Sequence, residues 1–334
     1  MNINFKKEFQ NKQVLITGGT GSIGAVIVKE LLKYDPKKIK ILSRDESKQF
    51  ELMQEIGKNN RIDFLIGDIK DKERIDLAME NVDIVFHTAA LKHVVSCERN
   101  PLEAIKTNVL GTKNVIDSAL MYKVEKFVGI STDKASDPTN VMGCTKLLAE
   151  KLMLTSRFYK GDRKTRFCFV RFGNVLGSRG SVVPLFMNQI MKGLPITITD
   201  PQMTRFFMTI KDAVNLVFKA TTLMQDREIF ILKMPSIVIR DLAEAIIEFM
   251  NKKGKIKINI IGKKEGEKIH EKLLNEEDLK NVLETDDMFI ILPEDREVEP
   301  KLYLNAKQAT TKVYDSFNQE KISIKEIIKM LKKA

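Results

Sequence analysis

The 334-residue chain has little of what metal centres, disulfide frameworks and membrane spans are built from. Its three cysteines, Cys97, Cys144 and Cys168, form no close pair and no C-x-x-C. An odd count at wide spacing argues against a disulfide framework and against zinc, and leaves three reduced thiols. The three histidines, His87, His93 and His270, are too few and too scattered for a metal site, so no metal is expected. No apolar run approaches the roughly 18–20 residues that a membrane span needs. Met1 to Gln10 is polar and lacks the apolar core of a signal peptide, which points to a cytoplasmic protein with no membrane partner. Internal repeats and low-complexity linkers are also missing.

What is present is a basic chain, 43% apolar, with a net charge of +11. That length and apolar content suffice for one large domain with a smaller lobe. A positive balance suits nucleic acid, an anionic membrane or an anionic substrate. The lysines are spread among acids, however, and the densest clusters, Lys37-Lys38 and Lys252-Lys253, are short. Solvated surface lysine is the better reading, and nucleic acid is not expected as a partner. A diphosphate substrate would still benefit from the field.

The first half alternates short β-rich apolar runs with helical stretches. The strand candidates are Gln13–Thr17, Lys38–Ser43, Asp63–Gly67, Asp83–Thr88, Lys126–Ser131 and Arg166–Phe172. Continuous apolar runs, rather than alternation, are how buried parallel strands read. Pro101–Met121 reads as one helix, with Asn100 at its N-cap and Pro101 at its first position. Strand–helix alternation implies an α/β fold, a Rossmann-type doubly wound parallel sheet. After Phe172 the alternation breaks down into Gly-rich loops and helices near Val182–Met191, Ile210–Met224 and Arg240–Lys252. The expected division is 1–172 as the dinucleotide-binding domain, with part of 206–235 returning to it. Residues 173–334 then form mainly a smaller substrate-binding lobe with the C-terminal tail, leaving a cleft between the two.

Val14-Leu15-Ile16-Thr17 runs into Gly18-Gly19-Thr20-Gly21-Ser22-Ile23-Gly24. A glycine triplet after a buried strand and before a helix lets backbone approach a pyrophosphate, which the helix N-terminus then binds. Gly18, Thr20, Gly21, Ser22, Ile23 and Gly24 are the candidate residues. About 20 residues on, Ser43-Arg44-Asp45 follows the second strand. An acid there holds a ribose hydroxyl, whereas an arginine accommodates a 2′-phosphate. Ser43 and Arg44 come first and Lys48 one turn later, which favours NADP, with NAD as the alternative. Asp68 and Ile69 close the third strand, where an adenine would lie. Thr88, Ala89 and Ala90 close the fourth, where small residues let the cofactor pass. Lys92 follows them as a candidate to place cofactor or sugar.

Strand five ends in Ser131-Thr132-Asp133-Lys134, and a helix beginning near Asn140 carries Met142 and Lys146 on one face. T-G-G-x-G-x-x-G, Thr/Ser on strand five, then Y-x-x-x-K marks the extended short-chain dehydrogenases/reductases, which this chain resembles. The runs STDKA (131–135) and N-x-x-G-x-T-K (140–146) are similar to the UDP-N-acetylglucosamine 4,6-dehydratases of surface-glycan pathways. So are AALKHV (89–94), NPLEAIKTN (100–108), VRFGNVLGSRGSVVP (170–184), ITDPQMTRF (198–206) and EGEKIHE (265–271). The likeness covers nearly the whole chain. One position departs from it: the usual tyrosine is Met142, and a thioether cannot take a proton. The chain resembles a Met-containing branch of that family.

The resemblance implies a dehydration. Hydride leaves C4 of the sugar for NADP, Lys134 takes the C5 proton, Asp133 assists loss of the C6 hydroxyl, and hydride returns to C6. Thr132 would orient O4, and Lys146 would bind the nicotinamide ribose. Thr107, Met142 and Val175 would touch the cofactor. Lys134 needs to be partly neutral for its task, which Lys146 and a cationic nicotinamide would favour by lowering its pKa. Both Asp133 and Lys134 can face the sugar only if the strand has ended by Thr132. Lys92, Asn174, Arg179, Val182, Thr199, Arg205, Lys264 and Glu267 match the UDP-sugar side, where an arginine fork suits a diphosphate. Relatives often carry Arg where Lys264 stands. The expected product is the C5-inverted L-arabino 4-keto-6-deoxy sugar, with retention at C5 as runner-up. A 4-epimerase ranks lower, and a non-catalytic NADP-binding protein is the alternative of another class. Relatives assemble as dimers to hexamers, so a homo-oligomer is expected.

Overall fold

A computed structural model describes residues 3–295, 300–304, 306–311 and 313–333. Six strands, β1 (Gln13–Thr17), β2 (Lys38–Ser43), β3 (Ile62–Ile66), β4 (Ile84–His87), β5 (Lys126–Thr132) and β6 (Arg166–Phe172), fall within two residues of the runs expected from sequence. They pair in parallel in the order β3-β2-β1-β4-β5-β6. Val14, Leu15 and Ile16 of β1, and Ile84, Val85 and Phe86 of β4, are wholly buried because helices cover both faces of the sheet. Strand Glu228–Leu232 extends the sheet in parallel beside β6, and Met288–Ile291, Val282–Glu284 and Lys307–Gln308 continue it antiparallel. The strand order reverses between β1 and β4. In such a sheet the crevice for a ligand opens at the carboxyl ends on either side of that reversal.

Local chemistry starts the helices that surround the site. Asp45 caps the helix Glu46–Ile56 through Lys48 N, and Asn140 caps Val141–Leu154 through Gly143 N. Thr209 and Asp212 form a capping box at the head of Ile210–Leu223. The helix expected over Pro101–Met121 is interrupted: Pro101–Ala104 and Thr112–Met121 are α-helical, and Ile105–Gly111 between them is a π-helix. Asn100 stands at the cap position, but its amide donates back to the Ser96 carbonyl. The π segment carries the wholly buried Asn108, whose amide holds Leu91 N, Leu91 O and the Thr145 hydroxyl at 2.8, 3.0 and 3.0 Å. A widened turn of this kind is typically found at functional sites.

The smaller lobe has its own three-stranded sheet, Ser236–Val238, Thr204–Met208 and Asn174–Val175. Its separate core is built by the helices Val182–Met191, Ile239–Phe249 and Ile324–Lys333. The cores do not follow a single division at 172. Helix Ile210–Leu223 packs into the first core. Leu273, Leu274, Val282, Met288, Ile290, Tyr303 and Tyr314 join that core too, although sequence places them with the lobe. The chain therefore crosses the cleft repeatedly.

Removing the Asn108 amide would leave Leu91 N and O, which are half-buried, without these partners. Asn108→Ala is expected to lower stability by about 2–3 kcal/mol in urea denaturation.

Candidate active site

A cleft of about 980 Å³ lies between the two lobes at the carboxyl ends of the strands. Gly18, Thr20, Gly21, Ser22, Ile23 and Gly24 form the wall above β1, and Ser43, Arg44, Asp45 and Lys48 the wall above β2. Asp68 and Ile69 follow β3; Thr88, Ala89, Ala90 and Lys92 follow β4; Thr107 enters from the π segment. Gly18 has φ +68°, and a Cβ there would stand 2.8 Å from the Ala89 backbone. Only glycine permits that approach, which brings the start of helix Ser22–Leu31 to the cleft. This cradle fits a dinucleotide pyrophosphate.

At β2, Ser43 Oγ and Thr20 Oγ1 are hydrogen-bonded at 2.7 Å. The Asp45 carboxylate is already engaged, accepting from Lys48 N at 3.0 Å and from Lys48 Nζ. These bonds, the side-chain one foremost, hold it below the usual carboxylate range. Arg44 is half-exposed and pairs loosely with Asp68 at 3.4 Å. From the lobe, Arg179 lies across the glycine turn: its guanidinium donates to the Thr20 carbonyl, and its backbone N donates to Ser22 Oγ at 3.0 Å. Lys92 Nζ donates to the Arg179 carbonyl at 2.7 Å, and burial, then Arg179, holds it below its ordinary value. Arg179, expected on the sugar-nucleotide side, thus rests on the glycine turn.

The strand β5 does end at Thr132, and Asp133–Ala135 is a 3₁₀ turn. Thr132 and Lys134 line the cleft, whereas Asp133 is wholly buried behind them. Thr132 Oγ1 donates to Asp133 Oδ1 at 2.7 Å, and Lys134 Nζ donates to the same oxygen at 3.0 Å. Gly143 locks helix Val141–Leu154 against this turn, since a Cβ there would stand 2.4 Å from the Lys134 carbonyl. The cleft also holds Glu271, which sequence reasoning missed. It is 2% exposed, with Oε1 3.4 Å from Lys134 Nζ and 3.8 Å from Arg205 Nε. Its motif, EGEKIHE, was legible, but not its register against a residue so far away in the chain.

Lys134 departs from the expected direction. Burial by itself would push it down, but Asp133 and then Glu271 outweigh burial, with Arg205 opposing them, and the ammonium is held above its ordinary value. Lys146 is the lysine that falls. Burial brings it down to about 8 against the partial support of Glu150, and its Nζ donates to the Ile130 carbonyl at 2.5 Å. Met142 is 4% exposed, lines the cleft and packs with Cys97 and Ala104. None of the five tyrosines, all of them described residues, lines the cleft. His87, bonded to Thr17 and Thr112, is driven down to about 3 by burial and is a neutral core histidine.

On the lobe side, Asn174, Val175, Val182, Lys264 and Glu267 line the cleft. Glu267 Oε2 accepts from Lys264 N at 3.0 Å, which closes the 264–267 turn. Arg205 also lines the cleft, but its fork is occupied. It donates to the carbonyls of Thr204, Lys268 and Ile269 at 2.7, 2.7 and 2.9 Å, and so straps residues 264–271 to the lobe sheet. Thr199 lies outside the cleft wall, with its hydroxyl on Met203 Sδ at 3.5 Å. Among the described residues no His/Cys/Asp/Glu cluster could hold a metal ion, and no helix is long and apolar enough to cross a membrane.

The family model for "Polysaccharide biosynthesis protein" matches residues 14–293. An uncharacterized membrane protein of Methanocaldococcus jannaschii is 52% identical, covering 96% of each chain. A UDP-N-acetylglucosamine 4,6-dehydratase (inverting) of Campylobacter jejuni is 45% identical over 85% of this chain and 84% of its own length. A UDP-glucose 4-epimerase of Rickettsia canadensis is 42% identical over 97% and 96%. The X-ray structure of Pen from Bacillus thuringiensis superposes with a TM-score of 0.92 at 46% identity, covering 98% of both chains.

Folding depresses Lys146, so between about 8 and 10.5 the unfolded chain binds more protons and stability rises with pH. Urea denaturation across that window should show wild type gaining stability relative to Lys146→Met as pH rises.

Proposed function

The chain belongs to the polysaccharide biosynthesis protein family and is of the nucleotide-sugar dehydratase and epimerase type, and on that premise we propose that it is an NADP-dependent UDP-N-acetylglucosamine 4,6-dehydratase. The observation that carries the proposal is the ionisable cluster of Thr132-Asp133-Lys134 and Glu271 beside the dinucleotide cradle. An epimerase, the activity named for the Rickettsia relatives, needs proton transfer at O4 alone. A dehydratase must also take the C5 proton and protonate the departing C6 oxygen. Several buried proton carriers at one place serve the second task and exceed the first.

When bound, NADP would accept hydride from C4 and return it to C6. Thr132 sits between cleft and Asp133, so its hydroxyl relays the O4 proton to that carboxylate, a task tyrosine performs elsewhere in the family. Lys134 is the base at C5, and it works only after shedding its own proton. Lys146 holds the nicotinamide ribose, and Met142 contributes packing alone. Asp133, at 0% exposure, acts through Thr132 and Lys134 rather than by touching the sugar. Asn174, Val182, Lys264 and Glu267 form the wall for the uridine diphosphate. The product is the 4-keto-6-deoxy sugar for surface-glycan synthesis, inverted at C5, with retention as the second outcome.

Arg44 and Lys48 select NADP. Asp45 is tied to its helix cap and to Lys48, which leaves it poorly placed to hold ribose hydroxyls. Arg44→Gln should weaken NADP binding at least about tenfold while leaving NAD binding within about twofold, as read by calorimetry. Incubation with UDP-N-acetylglucosamine in heavy water should give a 4-keto-6-deoxy product bearing deuterium at C5, with NMR couplings reporting inversion or retention. Formation of the C4 epimer instead would establish the epimerase.

A further inference from the structure

Among the described residues, few buried side-chain oxygens lack a hydrogen-bond partner, and two of them, Asp133 Oδ2 and Glu271 Oε2, flank the same lysine. Of these carboxylates only Glu271 lines the cleft. An unpartnered buried carboxylate oxygen is costly, and it marks a position where a proton or a substrate hydroxyl is to be received. Glu271 is fixed from several sides. Its backbone N donates to Ser316 Oγ at 2.9 Å, its carbonyl accepts from Ser316 N at 2.8 Å, and Oε1 is shared by Lys134 and Arg205. The charged groups facing it are Lys134 from the 3₁₀ turn and Arg205 from the lobe strand, with Asp133 across the lysine.

We propose that Glu271 is a catalytic acid of the cleft: it takes the proton that Lys134 sheds and delivers it to the departing C6 oxygen. The inference rests on the dehydratase reading and deepens it. The protons balance as follows. Lys134 Nζ–H breaks and Glu271 Oε–H forms, leaving a neutral amine. As hydride leaves C4, the O4 proton passes through Thr132 to Asp133. Lys134 then takes the C5 proton, the C5 electron pair forms the C5=C6 bond, and the C6–O bond breaks as that oxygen takes the proton from Glu271 and leaves as water. Hydride reaches C6, a solvent water on the face opposite Lys134 gives C5 its proton, and Asp133 passes the O4 proton back through Thr132 to that water, leaving Lys134 as the ammonium. The net change is loss of water, and both carboxylates end ionised. Two proton stores are needed, and two carboxylates with free oxygens adjoin one lysine.

Glu271→Gln keeps the size and the hydrogen-bonding reach toward Arg205 while removing proton storage. In the full-length protein it should lower kcat at least about a hundredfold with KM for UDP-N-acetylglucosamine within about threefold, and abolish one limb of the pH profile. Glu271→Asp should recover part of kcat. Equal changes in kcat and KM with an unaltered pH profile would make Glu271 a mere brace for Arg205 and overturn the proposal. A second readout needs no turnover. In the cofactor-free protein, the ¹⁵N-lysine Nζ signal missing from Lys134→Met should titrate at least about one unit lower in Glu271→Gln than in wild type. An unmoved midpoint would overturn the proposal whatever the substrate proves to be. Inactivity of wild type with a moved midpoint would fault the dehydratase reading instead.

Discussion

A lysine taken out of water must be given carboxylates or lose its proton, and Lys134 is given two. Asp133 comes from the next position on the same turn, and Glu271 comes from the far side of the cleft. The attraction works only if the lobe strap 264–271 stays docked, and Arg205 docks it by donating to the Lys268 and Ile269 carbonyls. Removing one member of such a buried set leaves an uncompensated charge at a cost of about 3–5 kcal/mol. The relative placement of the lobes and the chemistry of the site are therefore one constraint.

A second buried set lies behind the first and keeps it rigid. Arg171 of β6 pairs with Glu150 and Asp278 at 2.7 Å each and donates to the Leu273 carbonyl at 2.9 Å. Glu150 also accepts from Ser131 on β5 and partly sustains the charge of Lys146 one turn earlier. The helix bearing Met142 and Lys146, the strand bearing Thr132 and the segment leading away from Glu271 are thus joined through one guanidinium. The arrangement holds the Lys134 ammonium above its ordinary value and lets Lys146 fall to about 8. Proximity to carboxylates, rather than burial, decides between them.

Much of the site was legible because its motifs are local. The glycine turn, the residues after β2 and β4, and the end of β5 are each fixed by the strand that precedes them, and strands with continuous apolar runs are readable. What the sequence left open is set by contacts between distant segments. Arg205 has the fork expected of a diphosphate ligand, but it is filled by backbone carbonyls. Arg179 rests on the glycine turn. The interruption of Pro101–Met121 ends on a glycine, Gly111, and a buried amide, Asn108, accompanies it by holding the Leu91 backbone.

The sequence by itself determined the parallel sheet, the glycine turn after its first strand, the Thr132-Asp133-Lys134 run at the end of β5 and the missing tyrosine, because each depends on periodicity or on neighbours along the chain. The tertiary structure alone decided that Glu271 meets Lys134, that Asp133 lies behind the cleft wall and that the lysine is held charged. Those outcomes depend on distances between groups far apart in the chain and on how completely water is excluded from them, and neither quantity is written in the local order of residues.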